Sequence, residues 1–180
     1  MSMGKLERSS ITWAGLPVVG TDTKWAVFSP DMKYRYVLGR VLDPLWNHDL
    51  ASCLFVIMLN PSTATHEEDD PTIRRCIGFA KRERCSSLVV RNLFAYRSTD
   101  PDALLEVDDP VGPSNAHVLN YKVWGRAIAA WGVVAPKLRA KMPALPEHLS
   151  CFGTTKDGSP KHPLYLPKTA PIEAWKGARP

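Results

Sequence analysis

The chain has 180 residues, of which 44% are hydrophobic and 23% are charged, and its formal net charge is +5. This length and composition favour one compact α/β domain and leave little room for a second. No apolar run approaches membrane-spanning length and no secretory signal pattern begins the chain, so we expect a cytoplasmic protein without a membrane partner.

Residues 1–31 are polar and irregular and carry several glycines and prolines. We interpret them as an amino-terminal extension of a single domain that spans residues 32–180. Within residues 34–42, aromatic and aliphatic side chains partly alternate with basic ones, which predicts an edge or antiparallel strand. The pair Asp43-Pro44 ends this strand.

Residues 53–59 form an apolar run without polar alternation, which is typical of a central parallel strand buried on both faces. The run breaks at Asn60-Pro61-Ser62. Because α/β proteins place their chemistry at the carboxyl ends of such strands, we expect the Asn60 amide to face a crevice. The alternative is a plain strand-to-loop turn in which Asn60 caps the loop.

The next elements predict a parallel crossover. Asp70 is typical of a helix cap and Pro71 of a first helical turn, and the apolar spacing that follows predicts a helix to about Arg84. Residues 87–94 then form a second β-branched strand. A strand–helix–strand unit of this length implies a right-handed connection between parallel neighbours.

The carboxyl-terminal half predicts a helix over 113–125, a short strand over 127–131 and, after Gly132, a basic helix that ends before Pro143. A further short strand is expected near Cys151. His162 precedes a proline, so its backbone must be extended and its ring must project from a loop. Polar side chains thus follow three strands, and parallel pairing would bring them together; they are Asn60, Asn92 and His162.

The four cysteines show no CxxC pair and no histidine at ligand spacing, which favours neither a zinc site nor a disulfide framework. We expect them to be reduced, with Cys53 and Cys76 in the core, and we expect no metal and no cofactor. The acidic residues 67–70 are more typical of a solvated or capping loop than of a metal site.

Four short motifs, in this order, resemble the uracil-DNA glycosylase superfamily. They are Leu59-Asn60-Pro61-Ser62, Asn92-Leu93, Ala130-Trp131-Gly132 and His162-Pro163-Leu164. The resemblance covers residues 34–166 and implies a three-layer α/β/α fold with a central, mostly parallel sheet. The chain departs from the superfamily at Leu164, where that loop usually has Ser, and at Asn60, which cannot accept a proton as an Asp would.

A longer signature is similar to a family found in bacteria and phages, in which we expect antiphage DNA glycosylases that act on modified phage bases. It consists of the segments MLNPSTA, DPTIRRC, NLFAYRSTDP, DPVGP and TKDGSPKHPLYL.

The resemblance implies a metal-independent DNA glycosylase that flips a modified or damaged base out of DNA. Cleaving the bond between base and sugar requires a positioned water beneath the sugar and a hydrogen-bond donor for the departing base. We assign these roles to Asn60 and His162, with Glu67 or Asp69 in reserve for activating the water. We expect base contacts from Asn92, Phe94, Tyr96 and Ser62, and phosphate contacts from Arg97, Lys156, Lys161 and Arg75.

Each assignment has a structural alternative. Asn60 and Asn92 would only cap loops, and Phe94 would belong to the core. Arg97 would pair with Asp100, and His162 would be a structural hydrogen-bonding group. Two other functions remain open: a non-catalytic DNA-binding module, and an enzyme that acts on free nucleosides or nucleotides. The basic clusters at 74–84 and 137–141 support a polyanionic partner in either DNA-binding case.

Overall fold

The computed structural model describes residues 12, 13, 15–43, 45, 50–62, 64–121 and 125–177. No helix within these ranges is long and apolar enough to cross a membrane. Within them the chain forms β1 (Thr12–Trp13), β2 (Leu16–Gly20), β3 (Lys24–Phe28), β4 (Arg35–Val41), β5 (Cys53–Met58), α1 (Pro71–Arg82), β6 (Ser87–Asn92), α2 (Asn115–Asn120), β7 (Arg126–Ala129), α3 (Pro136–Arg139), β8 (Ser150–Cys151) and β9 (Glu173–Ala174).

The strands form a mixed sheet in the order β1-β2-β3-β4-β6-β5-β7-β8-β9. β5 pairs in parallel with β6 and β7, and β7 pairs in parallel with β8. The other five neighbouring pairs are antiparallel. The carboxyl ends of β5, β6, β7 and β8 therefore share one margin of the sheet, which we call the carboxyl edge.

The expected three-layer α/β/α fold with a mostly parallel sheet is wrong. Antiparallel pairs outnumber parallel ones because β2, β3 and β4 extend the sheet by antiparallel pairing on the far side of β6. The helices α1, α2 and α3 have 12, 6 and 4 residues, too few to form a helical layer on each face. The prediction extended a local parallel unit to the whole sheet.

The centre of the sheet follows the sequence prediction. Every residue of β5 is buried, as its unbroken apolar run indicates, and β5 lies between β6 and β7. The crossover from β5 through α1 to β6 is parallel, as predicted. Cys53 and Cys76 are buried, also as predicted, and no disulfide joins any of the four cysteines, all of which lie in the described part of the chain.

α1 begins where the sequence indicates. The Asp70 carboxylate accepts a hydrogen bond of 2.8 Å from the Ile73 amide, and Pro71 occupies the first turn, where no amide donor is needed. The helix buries one face against the sheet, where the Phe79 ring stacks on Phe152 at 4.2 Å between centroids. This contact joins α1 to the segment that follows β8.

The segment assigned to an amino-terminal extension supplies three strands of the same sheet, β1, β2 and β3. β3 pairs with β4, and Ala26, Val27 and Phe28 are buried in the core. The indole of Trp25 crosses the backbone at Gly39 so closely that a Cβ there would overlap the ring. Val18 of β2 and the last three residues of β3 are thus part of the core, while residues 21–23 between the two strands are exposed. β4 is antiparallel to both of its neighbours, so of the two predicted options the antiparallel strand is confirmed.

The later elements are shorter than predicted but lie in the predicted order. The helix expected over 113–125 is α2, and residues 122–124 of that prediction lie outside the described residues. The strand expected over 127–131 is β7, and the basic helix is α3, which ends before Pro143. β8 is the expected short strand near Cys151. Its parallel pairing with β7 brings the loop of His162 towards the carboxyl edge.

Candidate functional site

A cleft of about 400 Å³ opens at the carboxyl edge beside the ends of β5 and β6. One wall is Ser62, which follows β5, and the other is the segment 96–99, which follows β6. The turn before β4 closes the third side. The lining residues are Met32, Lys33, Ser62, Tyr96, Arg97, Ser98 and Thr99. Three residues that the sequence analysis assigned to base or phosphate binding therefore line one cleft: Ser62, Tyr96 and Arg97.

Backbone hydrogen bonds hold the walls of the cleft together. The Ser98 amide donates to the Pro61 carbonyl oxygen at 3.0 Å, and the Arg97 amide donates to the Lys33 carbonyl oxygen at 3.0 Å. The cleft is therefore built into the sheet margin, and the segments on either side of it continue the pairing of the strands.

Asn60 braces one wall of the cleft. Its Nδ2 atom donates to the Ser98 carbonyl oxygen at 2.8 Å and to the Pro61 carbonyl oxygen at 3.2 Å. Because both partners are acceptors, only the nitrogen of the amide can face them. Oδ1 therefore points the other way, and it has no hydrogen-bond partner among the described residues. The oxygen of this half-buried side chain can accept a hydrogen bond from water or from a ligand.

Two guanidinium groups make this end of the cleft positive. Arg97 donates from Nη1 to the Met32 carbonyl oxygen at 2.9 Å, and its guanidinium lies 5.1 Å from the centroid of the Phe28 ring. Its Nε atom is buried without a hydrogen-bond partner in the described part of the chain. The structure shows no ion pair between Arg97 and Asp100 in that part, so the pairing considered for Arg97 is replaced by contacts with the backbone and an aromatic ring.

Arg35 lies near Arg97 and is almost completely buried. Its Nη1 donates to the Ala64 carbonyl oxygen in the loop between β5 and α1. Burial lowers the pKa of Arg35 to about 10, an effect that Asp70 opposes and that the positive charges of Arg97 and Arg40 reinforce. The group is still charged at neutral pH, so the loop covers a cation that is only partly compensated.

His162 lies at the carboxyl edge beside the end of β7. Its backbone is extended (φ −73°, ψ 134°), as predicted from Pro163. At Gly132, which has φ +78°, a Cβ would lie 3.6 Å from the Cβ of His162. The ring is therefore next to the chain that leaves β7 for α3.

The hydrogen bond of His162 fixes the state of its ring. Nδ1 accepts from the Leu164 amide at 3.4 Å, which requires the tautomer that carries its proton on Nε2. Burial lowers the pKa of His162, and Asp70 opposes that shift. The ring is thus neutral at pH 7, and its Nε2–H donor has no partner among the described residues.

Asp70 is the charge that the two parts of the site share. It acts electrostatically on Arg35, which belongs to β4, and on His162, which belongs to the carboxyl-terminal loop. Both residues therefore border the loop 61–70. No hydrogen bond joins His162 to Asn60 in the described part of the chain, and direct convergence of these two predicted catalytic residues stays a prediction.

The reserve candidates for activating water have other roles in the same loop. Asp69 accepts from Arg40 Nε at 2.7 Å, an ion pair with a nearly buried arginine. Glu67 is exposed, and its backbone oxygen accepts from Lys24 Nζ at 2.9 Å. Among the described residues, no three His, Cys, Asp or Glu side chains lie close enough to hold a metal ion.

Two residues expected to contact the base lie in the core. Phe94 has no exposed surface and packs with Leu93 and Leu104, so its ring cannot stack on a ligand in this conformation. Asn92 is 1% exposed, and its Nδ2 is buried without a partner in the described chain. β6 ends at Asn92, and of the four residues expected to contact a base, Ser62 and Tyr96 line the cleft.

The residues expected to contact phosphate fall into two groups. Arg75 donates from Nη2 to the Leu166 carbonyl oxygen and lies over the Phe79 ring at 5.7 Å, so it tethers the carboxyl-terminal loop to α1. Lys156 and Lys161 are exposed, and they lie on the loop that precedes His162.

Sequence reasoning missed several residues of the site. Tyr165 is 83% exposed, and its ring centroid is 5.8 Å from that of His162. Lys33 lies in the turn before β4, and its position beside Arg97 follows only from the backbone pairing of that turn. Arg35 is buried in β4, a strand that the sequence analysis predicted without assigning any role to this side chain. Of these residues, the sequence singled out only Tyr165 as part of a motif, in the segment KHPLYL.

A family model described as protein of unknown function (DUF1643) matches residues 35–164, which is more than half of the chain. The match begins at the first residue of β4 and ends two residues after His162, so it includes His162 and most of the cleft lining but not Met32 and Lys33. Searches of curated proteins and of solved structures each found no match.

Proposed function

We propose, from the premise that this chain belongs to the DUF1643 family of proteins of unknown function, that it is a DNA glycosylase. It would cleave the bond between the sugar and a modified or damaged base. The observation that carries the proposal is the cleft in which Ser62, Tyr96 and Arg97 meet. The location of the protein in the cytoplasm and its role in defence against phages with modified DNA are part of the proposal, and the role in defence comes from the resemblance of the motifs.

The cleft has the size and chemistry for one extruded nucleotide. A volume of about 400 Å³ lies within the range of small-molecule sites and is too small for a duplex. Tyr96 offers an aromatic face for a base, and Arg97 with Lys33 offers positive charge for a phosphate. Ser62 adds a hydroxyl that can donate or accept. A flipped base and its phosphate would use all four side chains.

The chemistry assigned to Asn60 needs its free oxygen. As the bond breaks, positive charge grows on the sugar and the base leaves with the bonding electrons. In the proposed reaction, Asn60 Oδ1 accepts a hydrogen bond from the attacking water and orients it towards the sugar. The water forms the new bond to carbon, and its proton passes to solvent because an amide cannot take it. Asn60 thus positions the nucleophile without acting as a base.

His162 is suited to the other side of the reaction. Its neutral ring presents Nε2–H as a donor, which can stabilise the negative charge that grows on the departing base. Because the opposite nitrogen is already bonded to the Leu164 amide, the donor is oriented before the substrate binds. Removing one such preorganised donor costs on the order of 3 kcal/mol of transition-state stabilisation.

A second candidate function has its own supporting observation. Asn60 uses both of its amide hydrogens to hold Ser98 and Pro61, which is also what a purely structural asparagine would do. The cleft would then belong to a nucleic-acid-binding module without catalytic activity. Such a module predicts salt-sensitive DNA binding with no base release.

The test is an assay for abasic sites. Wild-type protein is incubated with uracil-containing DNA and with phage DNA that carries hypermodified cytosine or thymine, and alkali-labile strand breaks are counted. The proposal expects breaks in at least one substrate, and their loss in Asn60→Ala and His162→Ala variants that keep wild-type circular dichroism. His148→Ala is the matched control, because that histidine is almost fully exposed on a different loop.

The outcomes separate the candidates. DNA binding without breaks in any substrate would support the binding module and contradict the glycosylase. Hydrolysis of free nucleosides or nucleotides by a protein that does not bind DNA would instead support an enzyme of small-molecule metabolism.

A further inference from the structure

A second positively charged surface lies at the carboxyl edge, outside the cleft. It consists of the two basic residues of α3, the lysine two residues after α3, one lysine within the hairpin of residues 154–160, and the lysine that directly follows this hairpin. We call it the basic ridge, and its members are Lys137, Arg139, Lys141, Lys156 and Lys161.

The hairpin is held in one shape by Asp157. Its carboxylate accepts from the Thr155 hydroxyl, from the Ser159 hydroxyl at 2.9 Å and from the Ser159 amide at 3.3 Å. These hydrogen bonds lower the pKa of Asp157 to about 2, so the carboxylate is charged at every physiological pH. Pairing between Thr154 and Pro160 closes the base of the hairpin.

An ion pair joins the hairpin to α3. Arg139 Nη2 lies 3.6 Å from Asp157 Oδ2, although the two residues are far apart along the chain. This contact places the basic face of α3 next to Lys156. The basic clusters of two separate segments therefore form one surface, which could not be inferred from their spacing in the sequence.

The ridge rests on buried anchors. Leu138 of α3 is in the core, and Trp175 Nε1 donates to the Gly158 carbonyl oxygen of the hairpin at 3.0 Å. The Trp175 ring packs edge-on against Trp131, which follows β7, at 4.9 Å between centroids. The lysines are thus mounted on a rigid base while their side chains reach into solvent.

The charge of the ridge is largely uncompensated. Lys137, Lys141, Lys156 and Lys161 are exposed, and no described residue forms an ion pair with them. Asp157 forms an ion pair with Arg139 of the ridge, and the short helix 101–105, which carries Asp102, also packs against α3. Four lysines without acidic partners give a local field that attracts a polyanion.

We propose that the basic ridge binds the phosphate backbone of a DNA strand outside the cleft, so that the strand runs along the carboxyl edge past His162. Lys161 directly precedes His162 in the chain, so the ridge adjoins the residue assigned to the departing base. The inference rests on the proposed function for the identity of the polyanion. It adds a path for the strand and a set of contacts that carry affinity without reading the base.

Lysine is suited to such contacts. Its ammonium is a mobile point charge that follows a phosphate chain without demanding one geometry. Each phosphate neutralised on duplex DNA adds about 0.9 to the slope of log affinity against log salt concentration. The ridge should therefore account for a measurable part of that slope, independent of the DNA sequence.

The experiment measures DNA binding by the full chain at several salt concentrations, using undamaged duplex DNA and fluorescence anisotropy. The test variant is Lys137→Gln/Lys141→Gln/Lys156→Gln, which leaves Lys161 beside His162 and the ion pair of Arg139 intact. We expect its salt slope to fall by about two to three and its affinity to fall at every salt concentration.

The matched control removes three positive charges elsewhere. The control variant is Lys81→Gln/Arg84→Gln/Lys168→Gln. Lys81 and Arg84 lie at the end of α1, and Lys168 lies beside them because its carbonyl oxygen accepts a hydrogen bond from Arg82. All three lie at the opposite margin of the sheet from the ridge. The structure places this end of the basic cluster 74–84 away from the ridge, so, against the expectation from the sequence, we expect this variant to keep the wild-type slope. Thermal melting of both variants confirms that they are folded.

Each outcome decides the question. Equal slopes for the wild type and the ridge variant overturn the inference, as does a wild-type protein that does not bind DNA at about 50 mM salt. Ridge-dependent binding to anionic vesicles without ridge-dependent binding to DNA would assign the surface to a membrane. Ridge-dependent DNA binding without base release would support the inference and contradict the glycosylase. Base release by the wild type, together with equal salt slopes for the wild type and the ridge variant, would support the glycosylase and contradict the inference.

Discussion

Asn60 Nδ2 and the Ser98 carbonyl oxygen lie 2.8 Å apart, and this hydrogen bond joins the end of β5 to the far wall of the cleft. A second bond from the same nitrogen, to the Pro61 carbonyl oxygen, means that both amide hydrogens face acceptors. The side chain that we propose to orient water is therefore also the one that sets the width of the cleft. Its two roles use different atoms, which makes them separable by substitution.

The substitution Asn60→Asp tests the role of Asn60 in bracing the cleft separately from its proposed role in orienting water. At neutral pH, the aspartate would turn a negative oxygen towards two carbonyl oxygens that need donors. We expect a loss of about 1–3 kcal/mol in the free energy of unfolding, because acceptors are left unsatisfied and repel the new charge. The repulsion raises the pKa of the new carboxyl in the folded state, so the lost stability should be partly regained as the pH falls and the acid becomes a donor.

Urea unfolding at about pH 7 and pH 4.5 measures this effect, with the wild type as the reference for the pH dependence of the rest of the chain. Asn120→Asp is the control, because Asn120 Nδ2 also donates to a backbone carbonyl but lies exposed on α2. Equal losses at the two positions would show that Asn60 is solvated and does not brace the cleft.

Local patterns predicted the centre of the fold, and long-range pairing decided the rest. The buried run of β5 and the Asp70-Pro71 helix start are encoded by adjacent residues, and both were found where predicted. The pairing of β3 with β4 depends on contacts between segments with no distinctive spacing, so the sheet was predicted to be mostly parallel when it is mixed. Phe94 lies in the core, which is the structural alternative that the sequence offered for it.

The site shows the same division. Ser62, Tyr96 and Arg97 follow the ends of neighbouring strands, so parallel pairing brings them to one cleft as the sequence suggested. Lys33 and Arg35 lie near these residues only because β4 pairs antiparallel with β6, and no sequence motif predicts that pairing. The sequence therefore predicts the neighbours in a site best when all of them follow the strands of one parallel strand–helix–strand unit.

Gly39→Ala tests whether residues 16–28 are an integral part of the sheet. A methyl group at position 39 would overlap the Trp25 indole, so Trp25 must move out of its place on β3. We expect a loss of about 1–3 kcal/mol in the free energy of unfolding. Gly78→Ala is the matched control: its Cβ would meet no atom within 4 Å, and in the middle of α1 it should stabilise the protein by about 0.5–1 kcal/mol. If both variants melt like the wild type, β3 is not packed against β4 in solution.

Tyr96→Ala tests the stacking face of the cleft. Loss of the ring should weaken binding of a short single-stranded oligonucleotide by about 1–3 kcal/mol, while Tyr96→Phe should bind like the wild type because the face is kept. Fluorescence anisotropy gives the affinities. Tyr121→Ala is the control, since that side chain is exposed on the turn after α2, away from the cleft. A Phe variant as weak as the Ala variant would mean that the hydroxyl, and not the ring, makes the contact.

The burial of His162 predicts that the free energy of unfolding decreases as the pH falls below neutral. Burial holds its pKa in the folded state below the ordinary value near 6.5, so below that pH the unfolded chain binds a proton more readily than the folded chain does. The stability that the neutral ring contributes is therefore present above about pH 6.5 and is lost as the pH falls through the lower, folded value. Protonation also removes the Nδ1 acceptor that the Leu164 amide uses.

We therefore expect His162→Gln to lose less stability than the wild type between about pH 7 and pH 5, as measured by urea midpoints. His148→Gln, at an exposed position, should show the wild-type pH dependence. The proton-detected titration of the wild-type His162 ring should give a midpoint below the ordinary value near 6.5. If the ring titrates at that ordinary value, His162 is solvated, its tautomer is not fixed, and it loses the preorganised donor that the proposed reaction requires.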